Sequence, residues 1–260
     1  MNETPPPGSL WFRCNICGQD NVGDLSSFGR EVSTCLSCRS TGRERAIIRA
    51  LSVELFGETI VLADFPQRRD IVGTGMSDSG RYATQLAEKF RYQNTFYHQE
   101  PRLDITMTVP PALAESHDFV ISSEVFEHIA PPVQLAFDNV FKILRPGGTF
   151  VLTVPYGLIP KTIEHFPSLN TFHVEERNGS YVLQNVARDG TVEEFHDLVF
   201  HVGDGATVEM RVFGENDLVQ HCSRAGFKEI KVHRAPDFAH GIWWPEPWSF
   251  PISAKKPLPS

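Results

Sequence analysis

Four of the five cysteines fall in two pairs, Cys14-x2-Cys17 and Cys35-x2-Cys38, with seventeen residues between the pairs. Each pair fits a tight turn that points two thiolates at one ion, and two such turns complete a tetrahedral soft-ligand shell suited to Zn²⁺. Four protein thiolates leave no open position, so such an ion would be structural, and its binding would supply folding energy that a short segment lacks. Disulfides are the poorer reading, because the opening MNETPPPGSL lacks the basic start and apolar core of a secretory leader.

A second set of chemically able residues lies in DFVISSEVFEHI, residues 118–129. An apolar run suited to a buried strand gives way to Ser122, Ser123 and Glu124, and then to a short helix ending in a further glutamate and His128. Glu124 and His128, four apart, are expected on one face of that helix. A histidine that titrates near neutrality suits a general base, with Glu124 orienting it or touching a ligand. Helix capping by Ser123 and simple packing of His128 are the structural alternatives. His165 and His173 are further base candidates, in a stretch that also holds His196 and His201. None of these four has a partner at helical i, i+4 spacing, so partly exposed hairpin residues are preferred there to metal ligands.

The elements around these residues read as α/β. After the strand at 119–122 come Pro131-Pro132 and a helix with an apolar stripe through Val133, Ala136, Phe137, Val140, Phe141 and Leu144. A turn at Arg145-Pro146-Gly147-Gly148 leads into a strand over 149–154, completing a β-α-β unit with parallel strands. Ligands bind beyond the carboxyl ends of such strands, which is where the serines and Glu124 fall. RSTGRERAIIRALSVELF reads as a helix burying Ala46, Ile47, Ala50, Leu51 and Leu55, with Arg43, Arg45 and Arg49 on a solvated face.

At 260 residues and 41% apolar content, the chain suffices for one sizeable domain and a small appendage. The expected division is a zinc-binding module at 1–42 and an α/β domain at 43–260, with 156–213 inserted as a substrate cover. Within the cover, Asp189-Gly190 suits a turn between two strands, and GDGATVEMRVF suits a third. Trp243, Trp244 and Trp248 are read as sealing the core, with stacking on a sugar or planar substrate as the alternative. A formal charge of −8 disfavours a nucleic-acid binder and favours a small-molecule or glycan partner, although Arg39, Arg43, Arg45 and Arg49 keep an RNA substrate open. No apolar run approaches membrane-spanning length, so the expectation is a soluble, cytoplasmic protein; the sequence predicts no oligomeric state.

HDFVISSEVFEHI, followed by NVFKILRPGGTFVLTVP, resembles the fourth-strand motif and the fifth helix-and-strand motif of the Rossmann-like (class I) S-adenosylmethionine-dependent methyltransferases, some of which carry zinc-bearing amino-terminal modules. The resemblance covers roughly 57–155 and 214–256. It implies a mostly parallel sheet with a C-terminal antiparallel hairpin, beside the small zinc module and a β-rich insertion. The hairpin would follow a helix at 215–225, stopped by Gly226, and use FKEIKVH and WSFPISAKK. It also implies S-adenosylmethionine as cofactor, Asp104-Ile105 near its adenine, Glu124 against it, and in-line methyl transfer to a nucleophile, with O-methylation favoured.

The family's first strand leads into a D-x-G-x-G-x-G loop, whereas here the expected first strand, TIVLAD, runs into FPQRRD without a glycine. Two readings follow. In the preferred one DIVGTGMSD is the second strand, Asp78 or the Gly73-x-Gly75 turn replaces the ribose-binding acid, and Asp64 lies nearest the cofactor's amino group. In the other, GTGMSDSG is a displaced glycine loop, RYATQLAEKF is its helix, and Glu100 is the ribose acid. A scaffold with the fold but no catalysis is the alternative to an enzyme.

Overall fold

A computed structural model describes residues 8–201 and 207–259. The chain opens with β1 (Ser9–Arg13) and β2 (Asp20–Asp24), an antiparallel pair whose turn carries Cys14 and Cys17. Helix α1 (Gly42–Phe56) starts in a capping box: the Thr41 hydroxyl accepts from the Glu44 N–H, and the Glu44 carboxylate accepts from the Thr41 N–H. Gly57, at φ 81°, ends it in the left-handed conformation that glycine tolerates.

TIVLAD is not a strand. Its Ile60 N–H donates to the Ser52 hydroxyl and its Leu62 N–H to the Asn15 carbonyl, so these donors go to α1 and the cysteine turn, and a 3₁₀ turn follows at Leu62–Asp64. The first strand of the main sheet is instead β3 (Arg68–Met76), followed by α2 (Gly80–Lys89) and β4 (Phe90–Thr95). Then come β5 (His117–Ser123), α3 (Gln134–Ile143) and β6 (Leu144–Thr153). β4, β3, β5 and β6 lie side by side in that order and all parallel. The preferred placing of DIVGTGMSD as a second strand is therefore corrected: β3 lies between β4 and β5, the GTGM of GTGMSDSG is its last part, and Ser77-Asp78-Ser79 is the turn into α2. Gly73 is required on β3, because a Cβ there would lie 2.1 Å from the Phe119 ring packed across it.

The insertion forms two small sheets. β7 (Tyr156–Gly157) and β8 (Ile163–Glu164) flank β12 (Arg211–Gly214), while β9 (Thr171–Arg177), β10 (Ser180–Val186) and β11 (Val192–Phe195) make an antiparallel meander. Gly190, at φ 88°, sits in the turn between β10 and β11, as its sequence suggests. The segment read as a third strand of that meander belongs with β7 and β8 over 211–213, and its part at 203–206 lies outside the described residues. Helix α4 (Glu215–Ala225) ends at Gly226. β13 (Lys228–Val232) and β14 (Ile252–Lys255) pair antiparallel, and β14 pairs antiparallel with β6 at the sheet's edge.

One face of the sheet packs on α3 and α4 through Val120, Phe137, Phe150 and Phe227. On the other face Phe12, Ile16 and Phe28 of the amino-terminal segment join Ile47, Leu51, Leu86 and Phe119 in a single cluster. The cysteine-bearing segment thus shares a core with the sheet. Trp244 is buried against Phe250, and Trp248 is exposed. No helix among the described residues is long and apolar enough to cross a membrane.

Candidate active site and metal centres

The two cysteine turns converge. Cys14 Sγ lies 3.7 Å from Cys38 Sγ, Cys17 Sγ lies 3.7 Å from Cys35 Sγ, and the four sulfurs all lie within 4.8 Å of one another. A tetrahedral Zn²⁺ with 2.3 Å bonds needs sulfurs about 3.8 Å apart, so the donor set fits that ion. Contact with Cys38 pulls the Cys14 thiol down to about 4, the thiolate that a metal takes.

Arg45, expected on a solvated face, is fully buried next to this group. Its guanidinium donates to the Ser40 carbonyl (2.7 Å), the Thr34 hydroxyl (2.6 Å) and the Gly241 carbonyl (2.7 Å), tying the second cysteine turn to the carboxyl-terminal segment. Arg49 pairs with Asp237, and Arg43 reaches Glu31 and the Ser123 hydroxyl. The solvated-face expectation fails because α1 is covered on both flanks, and periodicity counts only apolar residues as buried.

At the carboxyl end of β3 the chain turns through Ser77, at φ 57°, into Asp78 and α2. Asp78 is buried and accepts from Tyr82 Oη (2.9 Å) and Tyr92 Oη (2.6 Å), while Asn94 brackets its backbone, accepting from its N–H and donating to its carbonyl. Burial pushes its carboxyl up to about 7, against the pull of those two hydroxyls. A Cβ on Gly75 would lie 2.1 Å from both Asp78 Oδ2 and Tyr92 Oη, so the turn's own side chains fill the space over that glycine.

Beside it, at the end of β5, Glu124 adopts φ 56° and receives a two-pronged contact from Arg30, Nη2 to Oε1 at 2.7 Å and Nη1 to Oε2 at 3.0 Å. Burial raises the Glu124 carboxyl, but the charges of Arg30 and Arg43 outweigh it and hold the group below its ordinary range. The buried Ser122 Oγ has no hydrogen-bond partner among the described residues. Guanidiniums, carboxylates and an unused hydroxyl match the zwitterionic end of an amino-acid cofactor in kind, and at present they close on one another.

Residues 126–128 form one 3₁₀ turn, so the short helix expected there is a single turn, and Glu124 and His128 do not share a face. Glu124 turns to the arginines, whereas His128 Nδ1 meets the Val208 carbonyl at 3.0 Å. The left-handed residue at 124 and the prolines at 131 and 132 stop a helix from propagating. The group facing His128 is Glu127, with Nε2 and Oε1 3.7 Å apart, and His201 approaches the same oxygen at 3.9 Å. Glu127 is fully buried, and desolvation pushes it up to about 7, offset in part by His201. Burial lowers His128, while Glu127 and Glu209 raise His201. His165 Nε2 lies 2.8 Å from Glu209 Oε1, so two of the four scattered histidines do converge, whereas His173 and His196 are exposed on the meander.

Of the expected cofactor residues, Gly73, Gly75, Asp78 and Glu124 gather at the ends of β3 and β5. Asp64 does not: it lies before β3, at the opposite end of the sheet, and is paired with Arg13 at 3.4 Å. Asp104 accepts from Thr106 within its own turn, and the Ile105 carbonyl is held by Asn139 of α3. No strand forms between β4 and β5 among the described residues, and Glu100 caps the Arg102 N–H. Arg30, Glu127 and Glu209 were not legible as site residues. The one available signal was the acidic residue next to His128.

Residues 67–152, the segment from β3 to β6, match the family model described as methyltransferase domain. A Mycolicibacterium smegmatis (strain ATCC 700084 / mc(2)155) protein described as a probable S-adenosylmethionine-dependent methyltransferase is 30% identical over 179 residues, 68% of this chain and 62% of that protein. The match to the methyltransferase domain covers the segment from β3 to β6. The chain thus spans about 62% of the length of the curated relative it matches. Among solved structures, an S-adenosylmethionine-dependent methyltransferase from Clostridium acetobutylicum ATCC 824 aligns at TM-score 0.45 and 12% identity, over 85% of this chain and 93% of that one. The sugar N-methyltransferase KedS8 from Streptoalloteichus sp ATCC 53650 aligns at TM-score 0.45 and 13% identity, over 81% and 85% of the two chains. Within the matched segment, Asp78 and Glu124 follow the carboxyl ends of β3 and β5, two of the parallel strands.

Proposed function

We propose that this protein transfers a methyl group from S-adenosylmethionine to a small-molecule or glycan hydroxyl, and that its four amino-terminal cysteines hold one structural Zn²⁺. The observation that carries the reading is the polar turn holding Asp78 at the carboxyl end of the strand β3, inside the segment that matches a methyltransferase domain. The bound cofactor would supply an electrophilic methyl carbon. The chain's residues would bind, align and exclude water. Arg30 and Arg43 suit the cofactor's carboxylate, and Glu124 and Asp78 suit its amino and hydroxyl groups. His128 keeps its Nδ1 proton on the Val208 carbonyl, which leaves the Nε2 lone pair to accept the acceptor's proton. The charge of −8 and the internal partners of Arg43, Arg45 and Arg49 favour a small or glycan acceptor over RNA.

The side chains closed over Gly75 favour one second reading, a protein that keeps the fold without binding the cofactor. Calorimetric titration of the zinc-loaded chain with S-adenosylhomocysteine separates the two. Micromolar binding that weakens in Arg30→Ala supports the enzyme. Absence of binding by the native chain supports the scaffold.

A further inference from the structure

We propose that Glu127, His128 and His201 form a second metal site, for a divalent first-row transition ion of the Zn²⁺ or Co²⁺ class. The starting observation is an anomaly. Glu127 is fully buried, and neither carboxylate oxygen has a hydrogen-bond partner among the described residues. A buried carboxylate left so is costly, and a cation is the usual remedy.

The two histidines are prepared to share that cation. His128 has Nδ1 at 3.0 Å from the Val208 carbonyl, which fixes the proton on Nδ1 and turns the Nε2 lone pair towards Glu127. His201 has Nε2 at 3.1 Å from Glu209 Oε2, which fixes its proton there and turns the Nδ1 lone pair towards the same oxygen. Glu209 is held in turn by His165 at 2.8 Å. A backbone carbonyl behind one ligating imidazole and a carboxylate behind the other is the outer-shell pattern that metal-bound histidines require.

The ligand atoms all lie within 4.8 Å of one another, with the oxygen 3.7 and 3.9 Å from the two nitrogens. Bonds of about 2.1 Å place tetrahedral neighbours about 3.4 Å apart, so the two oxygen-to-nitrogen distances need close by only about 0.3–0.5 Å, and rotation of the two imidazoles brings their nitrogens into the same range. Two imidazoles and one carboxylate select a borderline ion over Mg²⁺ or Ca²⁺, and three protein ligands leave a position open to water or a substrate oxygen. The ion would pin the inserted segment, through His201, to the turn after β5. It also takes the Nε2 lone pair of His128, so base and ligand are exclusive roles for that ring. The site does not depend on methyl transfer.

The test is Co²⁺ added to the full chain already loaded with one equivalent of Zn²⁺ at the cysteines. The expected result is one Co²⁺ per chain, with weak d–d bands, no thiolate charge-transfer absorption, and X-ray absorption showing imidazole scattering and no sulfur. Binding is lost in Glu127→Gln and in His201→Ala and kept in His196→Ala, with folding checked by circular dichroism. The absorption measurement on the native chain stands even if a variant misfolds. No Co²⁺ uptake, sulfur in its shell, or uptake unchanged in both folded variants overturns the proposal.

Discussion

The two clusters of potential metal ligands are built in opposite ways. The cysteine group comes from two short turns, each contributing two thiols three positions apart, and both lie within the first forty residues. The Glu127 group is assembled from the turn after β5 and the far side of a long insertion, and its supporting Glu209 precedes β12. The first can be formed by local chain geometry alone. The second exists only once the insertion has docked, through Met210 N–H donating to the Glu127 carbonyl and Arg211 to those of Phe126 and Ile129. Ligands close in sequence cost little loop entropy to bring together, whereas distant ones need the fold first.

Removing the Zn²⁺ proposed at the cysteines is the strongest way to break this contrast. Cys14 and Cys35 sit in the cluster shared with the sheet, so Cys14→Ser or exhaustive chelation should cost on the order of 5 kcal/mol, seen as a fall in Tm of roughly 10–20 °C. A change confined to the first forty residues would mean that the module is independent. Next in size, Arg45→Ala leaves the Ser40 and Gly241 carbonyls without their buried donor and should cost about 3 kcal/mol in urea denaturation.

Asp78 adds a pH-dependent effect. Its carboxyl pKa rises on folding from 3.8 to about 7, so the fold disfavours the charged form. The penalty is absent below pH 4, grows as pH rises towards 7 and is constant above it. Asp78→Asn should therefore match the native Tm near pH 4 and exceed it above pH 7, by up to about 4 kcal/mol on the rise from 3.8 to about 7. Equal stability of the two proteins at pH 8 would show that the tyrosine hydroxyls fully compensate the buried charge. The smallest effect is expected for Glu127→Gln without metal at pH 5, where the raised carboxyl is protonated: a change under about 1 kcal/mol, because among the described residues the group it replaces has no hydrogen bond to lose. A large loss of metal-free stability would mean that the carboxylate is already paired with His201.

The strand at 117–123, helix α3, the stop of α4 at Gly226 and the turn at Gly190 were legible because each is set by local means: an apolar run, a 3.6-residue stripe, a glycine with positive φ. TIVLAD misled for the same reason. Its apolar run suits a strand, but Asn15 and Ser52 take its donors, and neither partner is visible from the run itself. Arg45 was misread because a guanidinium is ordinarily solvated, and only the converging carbonyls of Ser40 and Gly241 make its burial tolerable.

The sequence by itself determined the cysteine quartet, the β-α-β unit whose first strand runs into Ser122, Ser123 and Glu124, and the resemblance that unit carries. Spacing and periodicity encode such features directly. Only the tertiary structure decided that Asp78 sits on the turn after the central strand, that Arg30 closes on Glu124, and that Glu127 meets His128 and His201. Each of these depends on sheet order or on contacts between segments far apart in the chain, where packing and the desolvation of charge, not local propensity, select the partner.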